Sequence, residues 1–205
     1  MRIIALLATA VTLLLSPTSF AQPGDALNSE LIQKKIDLWQ TEQGLPFETV
    51  QTTYQTRDGL LWVGTTGGIA RFDGLRFETF ESQTLPKPLT GPIFGFFEDV
   101  QGDLWIGHNR GAMRYRNGVF EPAFDSEVTQ GRRVWAFEQA RDGVVWAATE
   151  NGLVRWSDGA IKRYGVEEGL PTNRLRSLDI DKDGTLWIGT TGGGLVSFIG
   201  EKFSI

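Results

Sequence analysis

Apolar positions along this chain come in short runs and not in helical stripes. Runs of about four to six residues, rich in Trp, Phe, Val, Ile and Thr, alternate with turn signals built on Gly, Asp and Asn, the pattern of strands in an antiparallel meander. The stretch Asp58-Gly59-Leu60-Leu61-Trp62-Val63-Gly64-Thr65-Thr66-Gly67-Gly68-Ile69-Ala70-Arg71-Phe72 shows it plainly: a tight turn, an apolar run, a Gly-rich turn, and another short run.

The same unit occurs four times. The aligned tryptophans are Trp62, Trp105, Trp146 and Trp187, spaced by 43, 41 and 41 residues. Six residues after each stands a glycine, Gly68, Gly111, Gly152 and Gly193, and then an aromatic, Phe72, Tyr115, Trp156 and Phe198. A strand precedes each Asp-Gly turn (49–56, 93–98, 133–139, 175–181). A second turn at Asp73-Gly74, Asn117-Gly118, Asp158-Gly159 or Ile199-Gly200 leads into a last strand (75–80, 119–124, 160–164, 202–205). Asn-Gly and Asp-Gly are strong hairpin signals because type I′ turns need positive φ at both central residues.

Four antiparallel strands in about 41 residues is the size of one β-propeller blade. The expected fold is therefore an all-β propeller with four four-stranded blades, near 48–80, 92–124, 133–164 and 174–205. The repeated Trp is expected to pack between adjacent blades, worth roughly 2–3 kcal/mol of burial. The glycine after it is expected to relieve crowding or to take positive φ.

Residues 36–40 resemble the outer-strand exits at 80–86 and 164–171, which run into Leu-Pro or Gly-Leu-Pro. An extra outer strand does not fit a closed ring of four blades. The expectation is an open part of a larger propeller, of about seven blades, spanning 36–205.

Upstream, Met1 to Ala21 reads as a secretory signal peptide. It has Arg2, an apolar run from Ile3 to Leu15, Pro17, and small residues at Ser19 and Ala21 before the cleavage point. Residues 22–35 form a polar lead-in. Removal of Arg2 leaves 19 Lys+Arg against 25 Asp+Glu, a charge of −6. With basic residues scattered singly, that charge argues against nucleic acid as a partner. The absence of cysteine excludes disulfides and thiolate chemistry.

Little in the chain reads as catalytic or metal-binding. His108 is the sole histidine. Asp179-Ile180-Asp181-Lys182-Asp183-Gly184 resembles the start of a calcium loop, but Thr190 stands where the bidentate acid belongs. Asp58, Asp142 and Asp183 recur with the period and read as turn formers, whereas Glu98, Asp99, Glu167 and Glu168 do not recur. Gly192-Gly193-Gly194 has no following helix to hold phosphate. No catalytic residue, metal or cofactor is expected.

The motif Asp-Gly-x-Leu-Trp-x-Gly-Thr-x-x-Gly-Leu-x-Arg, with Gly-Leu-Pro opening a unit, resembles the two-component regulator propeller repeat. It stands here as Asp58 to Arg71. Departures are Gly102-Asp103 and His108 in the second copy, Ala147-Ala148 in the third, and the added Gly194 in the fourth. The resemblance implies the N-terminal periplasmic region of a large inner-membrane sensor. In such proteins propellers precede a β-sandwich, a membrane helix and a histidine kinase or GGDEF-type diguanylate cyclase.

Blade-to-blade loops and the loops between second and third strands should share one face. The residues there that depart from the repeat are His108, Asn109, Arg110, Arg132, Arg133, Glu150, Asn151 and Arg174. These are the candidate ligand contacts, for a polar small molecule or oligosaccharide. Further blades and downstream domains of the same protein, and a homodimer, are the expected macromolecular partners. The alternatives are an exported enzyme acting on polysaccharide, with paired carboxylates, and a protein–protein scaffold.

Overall fold

The computed structural model describes residues 37–80 and 91–204. The expected signal peptide (1–21), the lead-in (22–35), the exit at 81–86 and the terminal Ile205 lie outside the described residues. All the blades fall in one contact unit, Trp39–Ile205. Met1–Leu38 is a separate unit, of which Asp37 and Leu38 are described, both exposed.

The short apolar runs form sixteen strands in four antiparallel sheets, the blades of a β-propeller. Blade one is β1 (Val50–Gln55), β2 (Leu61–Thr65), β3 (Ile69–Phe72) and β4 (Phe77–Phe80). Blade two is β5 (Ile93–Glu98), β6 (Leu104–His108), β7 (Gly111–Arg116) and β8 (Val119–Phe124). Blade three is β9 (Val134–Gln139), β10 (Val145–Thr149), β11 (Gly152–Ser157) and β12 (Ala160–Tyr164). Blade four is β13 (Leu175–Ile180), β14 (Leu186–Thr190), β15 (Leu195–Ile199) and β16 (Lys202–Ser204). One helical turn, α1 (Ser126–Thr129), links blades two and three.

Turn chemistry sets the hairpins. Asn117-Gly118 and Asp158-Gly159 both take positive φ, as a type I′ turn requires, and Gly200-Glu201 does the same in blade four. Blade one differs, since the Asp73 carboxylate accepts from the backbone N–H of both Leu75 and Arg76. Those two residues stay in the turn, so β4 starts at Phe77 and not at Leu75.

Three cores hold the blades together, and each joins one blade to the next. Trp62 and Ile69 pack with Ile93, Ile106 and Phe120; Trp105 and Phe124 with Val134, Phe137 and Val154. Trp146 and Tyr164 pack with Leu175, Ile188 and Phe198. The repeated Trp meets the third-strand aromatic of the following blade, at centroid distances of 4.9 Å (Trp62–Tyr115), 4.9 Å (Trp105–Trp156) and 5.3 Å (Trp146–Phe198). Trp62, Trp105 and Trp146 are accordingly 2%, 0% and 8% exposed, while Trp187 of blade four is 36% exposed. The exposure of Trp187 identifies the covering blade as the cause of burial in the other three.

The opposite end of the series is covered differently. Trp39 packs on Phe72 (4.9 Å) and Phe77 (5.5 Å) of blade one. Phe80 meets Tyr115 and Phe120 of blade two in the same manner (6.2 and 5.0 Å), as Tyr164 meets Phe198 and Phe203 of blade four (5.2 and 6.1 Å). Trp39 thus takes the place of an outer-strand aromatic from a preceding blade. Residues 37–40 pair with no sheet, for there is no third strand beside them. The inner strands pack in the series β1, β5, β9, β13, and β13 makes no comparable packing with β1 among the described residues. Four blades therefore form an open arc, and the closed four-bladed ring is excluded.

Candidate functional site

The blade-to-blade loops and the turns between second and third strands are tied together by backbone hydrogen bonds. Thr66 N–H donates to the Thr49 carbonyl, Glu150 to Arg133, and Thr191 to Arg174. Both loop sets therefore lie on one face of each of these blades, next to the start of the inner strand.

At that start every inner strand carries a β-bulge. The register with the second strand slips between Val50 and Thr52, Ile93 and Gly95, Val134 and Ala136, and Leu175 and Ser177. The bulged residues are Gln51, Phe94, Trp135 and Arg176. A bulge leaves its residue out of the ladder and re-aims the side chain, which is why bulges gather near functional sites. Here the re-aimed side chains of successive blades touch. The Phe94 and Trp135 rings are 4.6 Å apart, and the Arg176 guanidinium lies 3.9 Å from the Trp135 ring centroid.

Arg133 extends the ladder, standing 5.3 Å over Phe94 and 5.7 Å over Trp135. Glu150 is paired with both guanidiniums, at 3.6 Å from Arg133 and 3.5 Å from Arg176. One carboxylate thereby holds two arginines against one indole. The indole Nε1–H of Trp135 is itself buried and has no acceptor among the described residues.

Beside this ladder lies a cleft of about 460 Å³, lined by Gln130, Arg132, Glu150, Asn151, Asn173 and Arg174. Arg132 and Arg174 are exposed and make no ion pair among the described residues. Asn173 accepts from the Val166 N–H through its carbonyl oxygen, which leaves its amide N–H₂ as the free end. Asn151 is buried. It spends its amide N–H₂ on the Val128 carbonyl, and its own carbonyl accepts from Arg163. The free polar ends in the cleft are mostly donors.

Two other concavities have balanced charges. In one of about 480 Å³ on blade one, Arg71 pairs with Glu78 at 2.5 Å and Arg76 with Asp73 at 3.6 Å. In one of about 230 Å³ between blades two and three, Arg116 is fixed on Asp103 at 2.5 Å and Arg114 on Glu121 at 3.2 Å. The cleft by Arg132 and Arg174 is the one that carries excess positive charge.

Of the candidate residues, Arg132, Glu150, Asn151 and Arg174 line this cleft and Arg133 reaches it through Glu150. His108, Asn109 and Arg110 do not line it. They form the β6–β7 turn, where the Thr129 hydroxyl donates to the Arg110 carbonyl. In the other blades Thr65, Thr149 and Thr190 close this turn, each accepting a backbone N–H and donating to a glycine carbonyl. His108 takes over the accepting half, with Nδ1 receiving the Arg110 N–H at 3.3 Å. Burial, then the Arg110 charge, lower its pKa from 6.5 to about 4, so the ring is neutral near pH 7.

Sequence reasoning missed Phe94, Trp135, Arg176, Gln130 and Asn173. The four bulged positions all differ, and each follows a buried aliphatic residue (Val50 in blade one excepted, where it is exposed); that divergence was the available signal. Asp99, counted above among the non-recurring acids, does recur. It receives the Trp105 indole N–H as Asp181 receives that of Trp187, and each also caps its own turn. In blade four the turn is one residue longer, and Gly194, not Gly193, supplies the carbonyl that Thr190 meets.

The sequence profile of the two component regulator propeller matches residues 44–67 and 169–192, the Gly-Leu-Pro loops and first two strands of blades one and four. No curated protein sequence is significantly similar to the chain. Among solved structures, the extracellular domain of a hybrid two component system from B. thetaiotaomicron is 22% identical, with a TM-score of 0.67 over 82% of this chain and 23% of its own. A second structure of an extracellular domain from that organism, described as a one component system, is 23% identical, with a TM-score of 0.64 over 76% of this chain and 22% of its own. Virginiamycin B lyase from Staphylococcus aureus, in a catalytically inactive form with quinupristin, is 18% identical, with a TM-score of 0.62 over 78% of this chain and 56% of its own. The chain thus spans less than a quarter of the length of the first two. No described helix is long and apolar enough to cross a membrane.

Proposed function

We propose that this chain, which carries two component regulator propeller repeats, is the extracytoplasmic ligand-sensing portion of a transmembrane signalling protein. Its output is a histidine kinase or a diguanylate cyclase, and the propeller is completed by further blades to about seven. The chain itself is non-enzymatic and periplasmic, and the full protein is tethered to the inner membrane.

The observation that carries this reading is the cleft beside the bulged strands. A repeated scaffold holds there the residues in which the copies disagree, with two arginines left without ion-pair partners. A ligand bound there changes output if it binds one arrangement of the blades more tightly than another. The enzyme reading has less support. His108 serves a turn, Asp58 and Asp142 accept backbone N–H groups within theirs, and Glu98 and Glu168 bond to the Arg57 and Gly165 N–H groups.

The test is the reading frame beyond the Ile205 codon. It is expected to encode more propeller repeats, a membrane-spanning helix and a kinase or cyclase. A frame that leads into a secreted catalytic domain, with no membrane span, overturns the proposal.

A further inference from the structure

The composition of the cleft says more than that something binds. Four guanidiniums, Arg132, Arg133, Arg174 and Arg176, gather around the single carboxylate of Glu150. Glu150 satisfies Arg133 and Arg176 and orients them on Trp135, whereas Arg132 and Arg174 face solvent unpaired. In a chain whose formal charge is −5 this is a local reversal of sign. Guanidinium forks match the planar, paired oxygens of carboxylates and phosphates.

The neutral groups agree with the charged ones. The Asn173 oxygen is committed to the Val166 N–H, so the amide offers donors, and the Trp135 indole N–H is a further donor without an acceptor. A site rich in donors selects a ligand rich in acceptors. The stacked Phe94 and Trp135 rings add a flat apolar wall against which the body of a small molecule can lie.

We infer that the cleft, with the ladder Phe94–Trp135–Arg176, binds a small solute that carries an oxyanion, a carboxylate or a phosphate ester, on a compact body with one apolar face. This rests on the reading of the cleft as a ligand site and gives that ligand its chemical class. Arg132 and Arg174 hold the oxyanion; Trp135 and Phe94 flank the body; Arg133 and Arg176, set by Glu150, supply the surrounding positive field.

Isothermal titration of the 205-residue chain with glucuronate, glucose 6-phosphate and glucose tests this. At least one charged sugar is expected to bind about tenfold or more tightly than glucose. Raising ionic strength tenfold should weaken that binding, since exposed charges are screened. Arg132→Ala with Arg174→Ala, both in exposed loops, should abolish the preference for the charged sugar without moving the melting temperature. Arg132→Lys with Arg174→Lys should restore part of it. Whichever charged sugar prevails tells carboxylate from phosphate. Equal binding of glucose, lost on the double alanine substitution, overturns the oxyanion class and leaves the cleft as a ligand site. Binding that the double substitution leaves intact, or no binding by any of the three, overturns both.

Discussion

The Arg176 guanidinium lies 3.9 Å from the centre of the Trp135 ring, and each residue is the bulged residue of its own inner strand. Two neighbouring blades are therefore linked on the ligand face by side chains that take no part in the sheets. A double-mutant cycle between Trp135→Leu and Arg176→Met should give a coupling of about 0.5–1 kcal/mol or somewhat more. Additive effects on the denaturation midpoint would mean that the contact contributes nothing.

The burial of the repeated tryptophans depends on the next blade, so equal substitutions should have unequal effects. Trp105→Ala removes a fully buried ring from the core between blades two and three and should cost about 3–5 kcal/mol. Trp187→Ala, at the exposed face of blade four, should cost about 1–2 kcal/mol. Urea titration of both variants checks the difference.

Glycines of the repeat separate in the same way. A Cβ at Gly152, which has φ +101°, would collide with the Tyr164 carbonyl where the outer strand leaves the sheet. Gly143 has φ +86° and nothing within 4 Å. Gly143→Ala should cost about 1 kcal/mol for the backbone conformation alone, and Gly152→Ala at least twice that. Comparable midpoints for the two variants would contradict the close approach.

His108 gives the chain a pH dependence of known sign. Its folded pKa of about 4 lies below the ordinary 6.5, so between these values the unfolded chain binds more protons. Stability is then full above pH 6.5 and falls as pH drops towards 4, by no more than about 2–3 kcal/mol from this group. His108→Thr installs the residue found at the three equivalent turns. It should keep the turn and remove about one proton from the slope of stability against pH in that window. An unchanged slope would show that the ring is not neutral and buried as described.

The blades were legible from the sequence because their signals are local. Asn117-Gly118 and Asp158-Gly159 fix hairpins by their own φ preferences, and a Trp every 41 to 43 residues is visible without any long-range information. Half of the ligand face was legible for the same reason, since Arg132, Glu150, Asn151 and Arg174 stand out against the repeat. The ladder was not. That Phe94, Trp135 and Arg176 are unpaired follows from a one-residue slip in strand register, and their mutual contact depends on how blades pack. His108 misled for the opposite reason. As a lone titratable residue in a turn it looked chemical, yet it does the work of a threonine.

The central claim is that the repeat is scaffold and that ligand chemistry is confined to the cleft by the bulged strands. Its most direct test is a map of backbone amide shift changes as glucuronate or glucose 6-phosphate is titrated into the chain. The largest changes should fall at 130–135, 149–151 and 173–176, with the Trp135 indole and the Arg132 and Arg174 side-chain signals among them. Changes centred instead on the opposite cleft at Asp99, Arg116 and Asp142, or on the exposed Trp187 face, would contradict it.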